Sequence, residues 1–530
     1  LHIPFGFGAD FGKLADFGFI NLRKNCFPMF SEFREYLENL LEDDADFISS
    51  NLGKYLTELY KDRKYCDNGF LVSLLIKRAM FDHALDVFEY STFNAVQTGV
   101  WEHGEENKQK IKAIRILRKE QKERFLALDY VLGIAKDLRL GSFENALTLF
   151  HKHNAHQLID STGVLYGDAV LNLSRCYLTE GKLKYALHWA KFGLVFFQNK
   201  KHLAETNANI LLGLIMLAAD KLEEGIEYFA IARNEAKLSD TQYYLVFACI
   251  FEACGQFIFG NYSRVVLLST EAYELAEQES MHEWQVYAVF LAARAWFEVG
   301  MYIKASTFFQ HGLAICRIYG YENAANVLST WLGRCYIYSD SPETGIRLLQ
   351  TRDRTQENLL FIAEAYVFLR RYEDALAVLD EAVENIQLNQ YIPVDYPFWS
   401  DGFLCIEDRS LGAEAGFRVV SLIIKSLRAY VLGKMGYREK GISELYRITR
   451  EEKISENDPY NSFYFFLYSL TLPESSNTDV DDNLTILSKS LKYLQERASR
   501  IDQTNHKKGY LYKNYWNKLL VEDAREKKLM

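Results

Sequence analysis

Proline is scarce in this chain, at only 7 of 530 residues. An interior proline removes a backbone hydrogen bond from a helix and clashes with the preceding turn, so this scarcity is compatible with long helices. Long apolar runs are missing as well. The longest one, Ile210 to Ala219, is far too short to cross a bilayer. We therefore expect a helical chain with no transmembrane segment.

Basic residues are not in excess. The chain has 61 Lys and Arg residues against 71 Asp and Glu residues, which gives a net charge of −10. Neutralising nucleic-acid phosphates requires a basic surface, so this balance argues against nonspecific nucleic-acid binding. The chain begins with Leu1 rather than Met, and no signal-peptide pattern follows. This start indicates a processed or excised piece of a protein.

Paired cysteine motifs are also absent. The eight cysteines are scattered, and none belongs to a Cys-x-x-Cys pair. They are Cys26, Cys66, Cys176, Cys249, Cys254, Cys316, Cys335 and Cys405. Several occupy apolar helical positions, where reduced cysteine acts as a small hydrophobic residue. This pattern favours reduced thiols and a cytoplasmic location.

Signatures of catalysis and of cofactor binding are missing. The chain has no Gly-x-Ser-x-Gly elbow, no HExxH and no kinase or dinucleotide motif. The segment Gly8 to Lys13 has three residues between its glycines where a phosphate loop has four, and Leu14 follows it. The histidine cluster at 151–156 has no Cys or carboxylate close in sequence that would complete a zinc site. The sequence predicts a protein that is not an enzyme and needs no cofactor and no metal.

The chain does contain a repeat. From about Asp168 to Ala382, an apolar helical run, a break and a second apolar run return several times, and a small residue opens most of the second runs. The opening residues are Ala186, Gly225, Val265, Ala305 and Gly345, which lie 39 or 40 residues apart. A fixed period between about 20 and 50 residues is typical of stacked-repeat solenoids.

Two further positions keep the same register. Twelve residues before each anchor, and before Ala375, the chain has Ser174, Gly213, Ala253, Ala293, Gly333 and Ala363. Five residues before the anchors it has Gly181, Asp220, Gly260, Gly300, Asp340 and Arg370. Small side chains allow two helices to approach closely, and Gly and Asp tolerate the turn that ends a helix. The register thus predicts antiparallel helix pairs packed through their small residues.

This arrangement resembles the tetratricopeptide repeat, which combines a small residue, an aromatic ring three positions later, a turn residue and a small residue opening the second helix. The matching rings are Tyr177, Trp296, Tyr336 and Tyr366. The usual repeat has about 34 residues, so the longer period here indicates longer helices. The resemblance implies an all-α fold, a right-handed superhelical solenoid of antiparallel helix pairs.

Changes of pattern along the chain predict six segments. They are an irregular Phe/Gly-rich arm (1–30), N-terminal helices with degenerate repeats (31–166), regular repeats (167–388), an aromatic and proline-containing loop insertion (389–412), a further repeat (413–470), and a linker with C-terminal capping helices (471–530). We also expect one polar helix at about 105–140 and two capping helices at about 484–501 and 508–527. The loop insertion either packs across the superhelix or is a contact site.

In the family that the repeat resembles, the first helix of each repeat lines a concave groove that grips a peptide or a helix. The corresponding partner-binding residues here are Arg175, Phe247, Tyr287, Phe290, Arg294, Phe297 and Arg334. Arginine pairs with carboxylates and stacks on rings. The resemblance therefore implies a protein interaction scaffold whose partner is a protein or peptide segment with acidic and apolar residues. The Lys and Asn clamp of chaperone-tail binders is absent.

Several alternatives stay open. The chain could instead be a regulatory or sensor module that controls an effector domain of a longer protein, or a structural component of a large multi-protein assembly. The role of the arginines is open in the same way, because Arg294 and Arg334 recur at one repeat position in an acidic chain. They either form a binding track for the partner or pair with carboxylates of the protein itself, such as Glu298 one turn after Arg294.

Overall fold

The computed structural model describes residues 68–139 and 164–530, with gaps at 78, 99–101, 180, 201–203, 239–241, 340, 353, 388–412, 451–453, 455, 457 and 474–481. All regular structure in this part of the chain is α-helical, so the predicted all-α fold is confirmed. The Phe/Gly-rich arm, the histidine cluster and the 389–412 insertion lie outside the described residues. The chain divides into two compact units, Leu1–Cys176 and Tyr177–Met530.

Four described helices form the core of the first unit. They are α1 (Asn68–Lys77), α2 (Phe81–Thr98), α3 (Glu102–Lys112) and α4 (Lys119–Arg139), followed by α5 (Val164–Thr179) at the unit boundary. The prediction of one helix at 105–140 is wrong, because the chain turns between α3 and α4. Ile111 and Leu132 would be about 30 Å apart in a straight helix, yet both belong to one buried apolar cluster.

The second unit consists of consecutive antiparallel helices. They are α6 (Leu183–Lys200), α7 (Glu205–Ala218), α8 (Leu222–Leu238), α9 (Gln242–Phe259), α10 (Tyr262–Gln278), α11 (His282–Glu298), α12 (Tyr302–Tyr319), α13 (Glu322–Tyr338), α14 (Pro342–Gln350), α15 (Gln356–Phe368), α16 (Tyr372–Gln387), α17 (Ala413–Lys434), α18 (Arg438–Arg450), α19 (Asn461–Thr471), α20 (Asn483–Ser499), α21 (Thr504–Tyr512) and α22 (Tyr515–Glu526). From α6 to α18, each helix packs mainly against its neighbours along the chain. We refer to α17–α22 as the C-terminal module.

The small residues twelve positions apart meet at the helix crossings. A Cβ atom added at Gly345 would lie 2.7 Å from the carbonyl oxygen of Gly333. One added at Gly225 would lie 3.0 Å from the carbonyl oxygen of Gly213. Carbon atoms do not approach carbonyl oxygens so closely without displacement, so these crossings need residues without side chains. The predicted register is thus the register of helix packing.

The residues five positions before the anchors end the first helices in the left-handed conformation. Their φ angles are positive at Gly181 (73°), Asp220 (60°), Gly260 (99°), Gly300 (72°) and Arg370 (58°). Such a residue closes the helix and reverses the chain, and the position favours glycine because a Cβ atom is strained there. Gly300 also lies close to a second backbone, since a Cβ there would be 2.4 Å from the amide nitrogen of Asn514.

The last part of the module differs from the prediction of one helix at 508–527. The chain bends between α21 and α22, and the side-chain oxygen of Asn514 accepts a hydrogen bond from the backbone N–H of Asn517 at 3.4 Å. This contact caps the N-terminus of α22 and satisfies one of the donors that every helix start leaves open. Two short helices therefore replace the single long one.

The cysteines with described surroundings lie inside the helix layers. Cys249, Cys254, Cys316 and Cys335 are buried free thiols. Burial raises the pKa of Cys249 to about 12 and that of Cys316 to about 12. Because the thiolate is the reactive form, these side chains act as small apolar residues of the core.

Candidate functional site

The first helices of the central repeats are buried over almost their whole surface. In α11, every side chain from Trp284 to Phe297 is buried, and the same holds in α7 from Thr206 to Met216. A helix that lines an open groove carries a stripe of exposed side chains. The groove-facing side of these helices is therefore largely buried.

The predicted partner-binding residues lie among packed rings or hydrogen-bonded partners. The ring centre of Trp284 lies 4.3 Å from that of Phe247 and 4.9 Å from that of Tyr287. Phe290 packs edge-to-face on Phe309 at 6.0 Å. In the first unit, Nη1 of Arg175 donates to Oδ1 of Asn172 at 2.8 Å. The predicted residues Phe247, Tyr287 and Phe290 are all buried.

Arg294 is buried against aromatic faces. Its side chain is only 1% exposed, and its guanidinium carbon lies 3.8 Å from the ring centre of Trp331 and 5.0 Å from that of Phe257. Guanidinium groups are attracted to the negative faces of aromatic rings, and the attraction strengthens when water is excluded. Arg294 thus joins neighbouring first helices inside the unit.

Arg334 forms a two-pronged ion pair with Glu364. Its Nε donates to Oε2 at 2.9 Å and its Nη2 donates to Oε1 at 2.8 Å. Arg334 and Glu364 are 8% and 2% exposed. Burial lowers the pKa of Arg334, but the charge of Glu364 reverses this effect, and the pKa lies above the ordinary arginine value. The pair supports the intramolecular role that we considered for these arginines.

The C-terminal module binds the ends of the first helices through side chains that donate to backbone carbonyls. Nη1 and Nη2 of Arg497 donate to the carbonyl oxygens of Ile258 at 2.8 Å and of Phe257 at 3.0 Å. Nη1 of Arg500 donates to the carbonyl oxygen of Phe259 at 3.1 Å. The last carbonyls of a helix have no partner within the helix and carry its negative dipole end, so two arginines cap α9.

Further along, the module also binds the next repeats through hydrogen bonds. Nδ2 of Asn514 donates to the carbonyl oxygen of Glu298, the last residue of α11, at 3.1 Å. The backbone N–H of Tyr515 donates to the hydroxyl of Tyr302 at 2.8 Å. Nε1 of Trp516 donates to the hydroxyl of Tyr338, at the end of α13, at 3.2 Å. The module thus crosses the turns of three successive repeats.

A cleft of about 60 Å³ lies between these helix ends and the module. Its lining residues come from both sides and are Phe257, Tyr262, Phe297, Glu298, Tyr302, Arg334, Tyr338, Glu364, Ile423, Pro459, Tyr460, Ser462, Phe463, Tyr510, Asn514, Tyr515, Trp516 and Asn517. The charged part of this wall consists of the Arg334–Glu364 pair and Glu298. We refer to the site as the module cleft.

Burial favours the protonated form of the hydroxyl groups of Tyr338 and Tyr510 in the module cleft. Burial raises the pKa of Tyr510 to about 12. The pKa of Tyr338 lies well above that of free tyrosine, first because of burial and then because of the Glu364 charge. A protonated phenol both donates and accepts hydrogen bonds. The cleft therefore offers ring faces, hydroxyl groups, one internally compensated charge pair and the carboxylate of Glu298.

Two of the predicted residues, Phe297 and Arg334, line the module cleft. The sequence pattern did not connect the residues Tyr510, Tyr515 and Trp516 with the groove, since it placed them on a capping helix. A signal was present, because four of the seven residues at 510–516 are aromatic. Aromatic density of this kind is unusual for a helix that only covers the end of a stack.

Among the helices of the described residues, none is long and apolar enough to span a bilayer. In the same part of the chain, no three His, Cys, Asp or Glu side chains are placed so that they could hold a metal ion.

Comparison with known proteins gives a family model that matches part of the chain and one curated relative. A family model described as the TP_0123_C C-terminal domain matches residues 409–528, which include the C-terminal module. A protein of Treponema pallidum (strain Nichols) named TPR repeat-containing protein is 21% identical over 403 residues, which are 72% of this chain and 47% of that protein. The chain thus spans about half the length of this curated relative.

Several solved structures are similar to this chain at low sequence identity. A Rap protein in complex with competence and sporulation factor has a TM-score of 0.47 and 11% identity, over 70% of this chain and 99% of the other. The TPR domain of P58(IPK) has a TM-score of 0.18 and 13% identity, over 76% and 99%. The APC/C hetero-tetramer Cut9–Hcn1 has a TM-score of 0.26 and 12% identity, over 92% of this chain and 99% of the other.

Proposed function

We propose that this chain, whose long helical repeat resembles the tetratricopeptide repeat, is a non-catalytic scaffold that binds a segment of a partner protein in the module cleft. The observation that carries the proposal is the lining of that cleft. Ring faces and hydroxyl groups converge on it from the repeat turns and from the C-terminal module. The repeats position one wall and the module supplies the other.

The composition of the cleft fits a protein partner. Tyrosine, tryptophan and arginine are the residues that most often dominate protein interfaces, because each combines a large contact area with directional hydrogen bonds. Trp516, Tyr515 and Tyr460 stand on the module side, and Arg334 and Tyr338 stand on the repeat side. A partner side chain inserted here would meet rings on both sides.

The size of the cleft favours a peptide anchor over an enclosed small molecule. Sites for small molecules and cofactors usually have volumes of about 300–1,000 Å³, whereas this cleft has about 60 Å³. That volume accommodates one side chain, and the rest of a partner segment would lie along the surface outside. The cleft is therefore better suited to anchoring a peptide than to enclosing a signalling molecule.

The ion pair influences which side chain fits best. Glu364 already accepts two hydrogen bonds from Arg334, so a partner carboxylate would compete with it for the guanidinium group. Phe297 and Phe361 flank Arg334 at 4.8 Å and 4.3 Å. We therefore expect an anchor that is apolar or aromatic, next to an acidic residue that approaches Arg334 from the open side.

The test uses peptides selected from a displayed random library against the full chain, and a double variant as the probe of the site. Arg334→Met with Glu364→Leu replaces the ion pair by apolar side chains of similar size, which usually leaves a buried site stable. We expect selected peptides to bind the double variant at least about tenfold more weakly, because single buried interface anchors contribute at this level. Tyr512→Ser on the exposed side of α21 is the control and should bind normally.

Peptides that bind the wild type and the double variant equally would contradict the proposed site. A failure to select any peptide, together with self-association in sedimentation, would favour the structural-assembly alternative. Melting curves of both proteins separate a lost contact from a lost fold, since the double variant is expected to melt close to the wild type.

A further inference from the structure

Helix α6 exposes apolar side chains on one face. Tyr185, Phe192 and Val195 are 60%, 43% and 54% exposed, whereas Ala186, Ala190 and Phe197 on the opposite face are buried. With 100° per residue, the three exposed residues fall within about 80° of one another on the helix surface. We call Tyr185, Phe192 and Val195 the α6 stripe.

The other second helices do not carry this stripe at the same repeat positions. Aligned on the anchors, the equivalent residues are Glu224, Ile231 and Asn234 in α8, Arg264, Glu271 and Glu274 in α10, Lys304, His311 and Ala314 in α12, and Asp374, Glu381 and Glu384 in α16. Each of these helices has a polar or charged residue in at least two of the three positions. The stripe is thus a property of one repeat and not of the fold.

The charge of α6 is also unlike that of its neighbours. Leu183–Lys200 contains no acidic residue, although the whole chain has a net charge of −10. Lys184 and Lys191 are exposed and lie along one edge of the stripe, since both fall 20–40° beyond Val195 on the helix surface. The next second helix, α8, exposes Glu223, Glu224 and Glu227 instead.

We propose that the α6 stripe is a second interaction surface, which takes an acidic amphipathic helix of a partner protein. The stripe extends over eleven residues, or about 15 Å, which corresponds to almost three turns of a packed helix. Apolar side chains of the partner cover Tyr185, Phe192 and Val195. Its acidic residues pair with Lys184 and Lys191 along the edge.

An anionic membrane has the same combination of apolar and acidic features but fits less well. Membrane-surface helices place basic residues along a whole polar face. Here the lysines of α6 are Lys184 and Lys191 at one edge of the stripe and Lys200 at the end of the helix, not a whole polar face. On the following repeat, Glu223, Glu224 and Glu227 of α8 are exposed. Their charge would oppose approach to an anionic bilayer. A narrow partner helix can avoid them, and an extended membrane surface cannot.

The experiment measures binding of two synthetic 18-residue helical peptides to the full chain by fluorescence anisotropy. Both carry leucine along one face, and the other face is glutamate in one peptide and lysine in the second. We expect the glutamate peptide to bind, and Tyr185→Ser with Val195→Ser to weaken binding about tenfold or more. Lys184→Glu with Lys191→Glu should invert the preference towards the lysine peptide, and added salt should weaken the wild-type complex.

Ile231→Ser in α8 is the matched control, because Ile231 occupies the repeat position of Phe192; it should bind like the wild type. Absence of glutamate-peptide binding, or equal binding by the stripe variant, would overturn the proposal. So would binding to phosphatidylserine vesicles that the stripe variant abolishes. The stripe variant keeps the module cleft intact, so peptides selected for the cleft should bind it normally, and the two proposals fail independently.

Discussion

The central repeats and the C-terminal module are both helical, but different contacts hold them. In the repeats, Gly333 contacts Gly345 and Gly213 contacts Gly225, so each crossing joins residues twelve positions apart. In the module, Arg497 reaches the carbonyl of Phe257 across 240 residues, and Trp516 reaches Tyr338 across 178. Local periodic contacts leave a pattern in the sequence, and long-range contacts made once do not.

The difference also concerns the chemistry of the contacts. A crossing of two glycines depends on the absence of side chains and brings two backbones together. The module instead uses long polar side chains, which reach the carbonyl groups that helix ends leave without partners. The first kind of contact builds a stack of any length, while the second binds one particular segment to particular turns. The predictions below probe this comparison.

The largest effect is expected at the buried ion pair of the repeats. Arg334→Met leaves Glu364 buried without its counter-charge, and such a change typically destabilises a protein by about 3–5 kcal/mol. Chemical denaturation measures the loss. The double variant with Glu364→Leu should recover most of it. Equal stability of the single and the double variant would show that the pair does not act as one unit.

Next comes the module. Arg497→Met removes donors from two helix-end carbonyls and from the hydroxyl of Tyr262, and hydrogen bonds to charged groups contribute about 1.5–3 kcal/mol each. Amide exchange should accelerate in α20–α22, whereas α8–α13 should keep their protection, because stability is local to cooperative segments. Uniform acceleration through the second unit would remove the distinction between the two regions. Lys492→Met on the exposed side of α20 is the control.

A smaller loss is expected at a single crossing within the repeats. Ala293 and Ala363 are fully buried. A leucine at either position overpacks the crossing and lowers the free energy of unfolding by about 1–3 kcal/mol. Thermal unfolding measures this loss. If the midpoint does not change for one of the two variants, the register is displaced at that repeat. Leucine at the exposed Ala314 of α12 should have little effect.

The smallest effect concerns pH. Burial raises the pKa of Glu235 to about 7, and the nearby Glu205 adds to this, while the hydrogen bonds from Asn209 oppose it. The folded state therefore binds a proton that the unfolded state, with an ordinary Glu pKa near 4.3, has already lost. Stability from this group is present at low pH and decreases as the pH rises from about 5 to about 7. Glu235→Gln should have a thermal midpoint that varies less over this range, and a parallel decline in both proteins would contradict the assignment.

Predictions from the sequence were most successful where one residue type repeats for one steric reason. The positions of Gly181, Gly260 and Gly300 could be predicted as helix-ending turns because only a few residues adopt a positive φ. The pairs of small residues twelve positions apart could be predicted because closely packed helices need small side chains where they cross. The helices at 105–140 and 508–527 were each predicted as one, because a polar turn inside a helical pattern has no strong breaker such as proline to mark it.

The groove residues show where this reasoning ends. The repeat register places Arg294 and Arg334 at the same position of successive repeats. Periodicity alone cannot distinguish an exposed position from one that another segment covers. That Glu364 pairs with Arg334 follows from the spacing of adjacent first helices, which only the packed structure contains. The position of Phe297 in the wall of the module cleft likewise follows only from the packed structure. Their roles as partner-binding residues stay predictions.

The sequence by itself determined the helix pairs, their turns and their small-residue crossings, because each of these depends on residues within one repeat. Only the tertiary structure decided that the C-terminal module crosses the turns of three repeats and forms a cleft with them. A carbonyl at a helix end accepts any donor that reaches it, so the chain around Phe257 carries no trace of which distant residue does so. Arg497 occupies that place because the fold of the whole second unit brings it there.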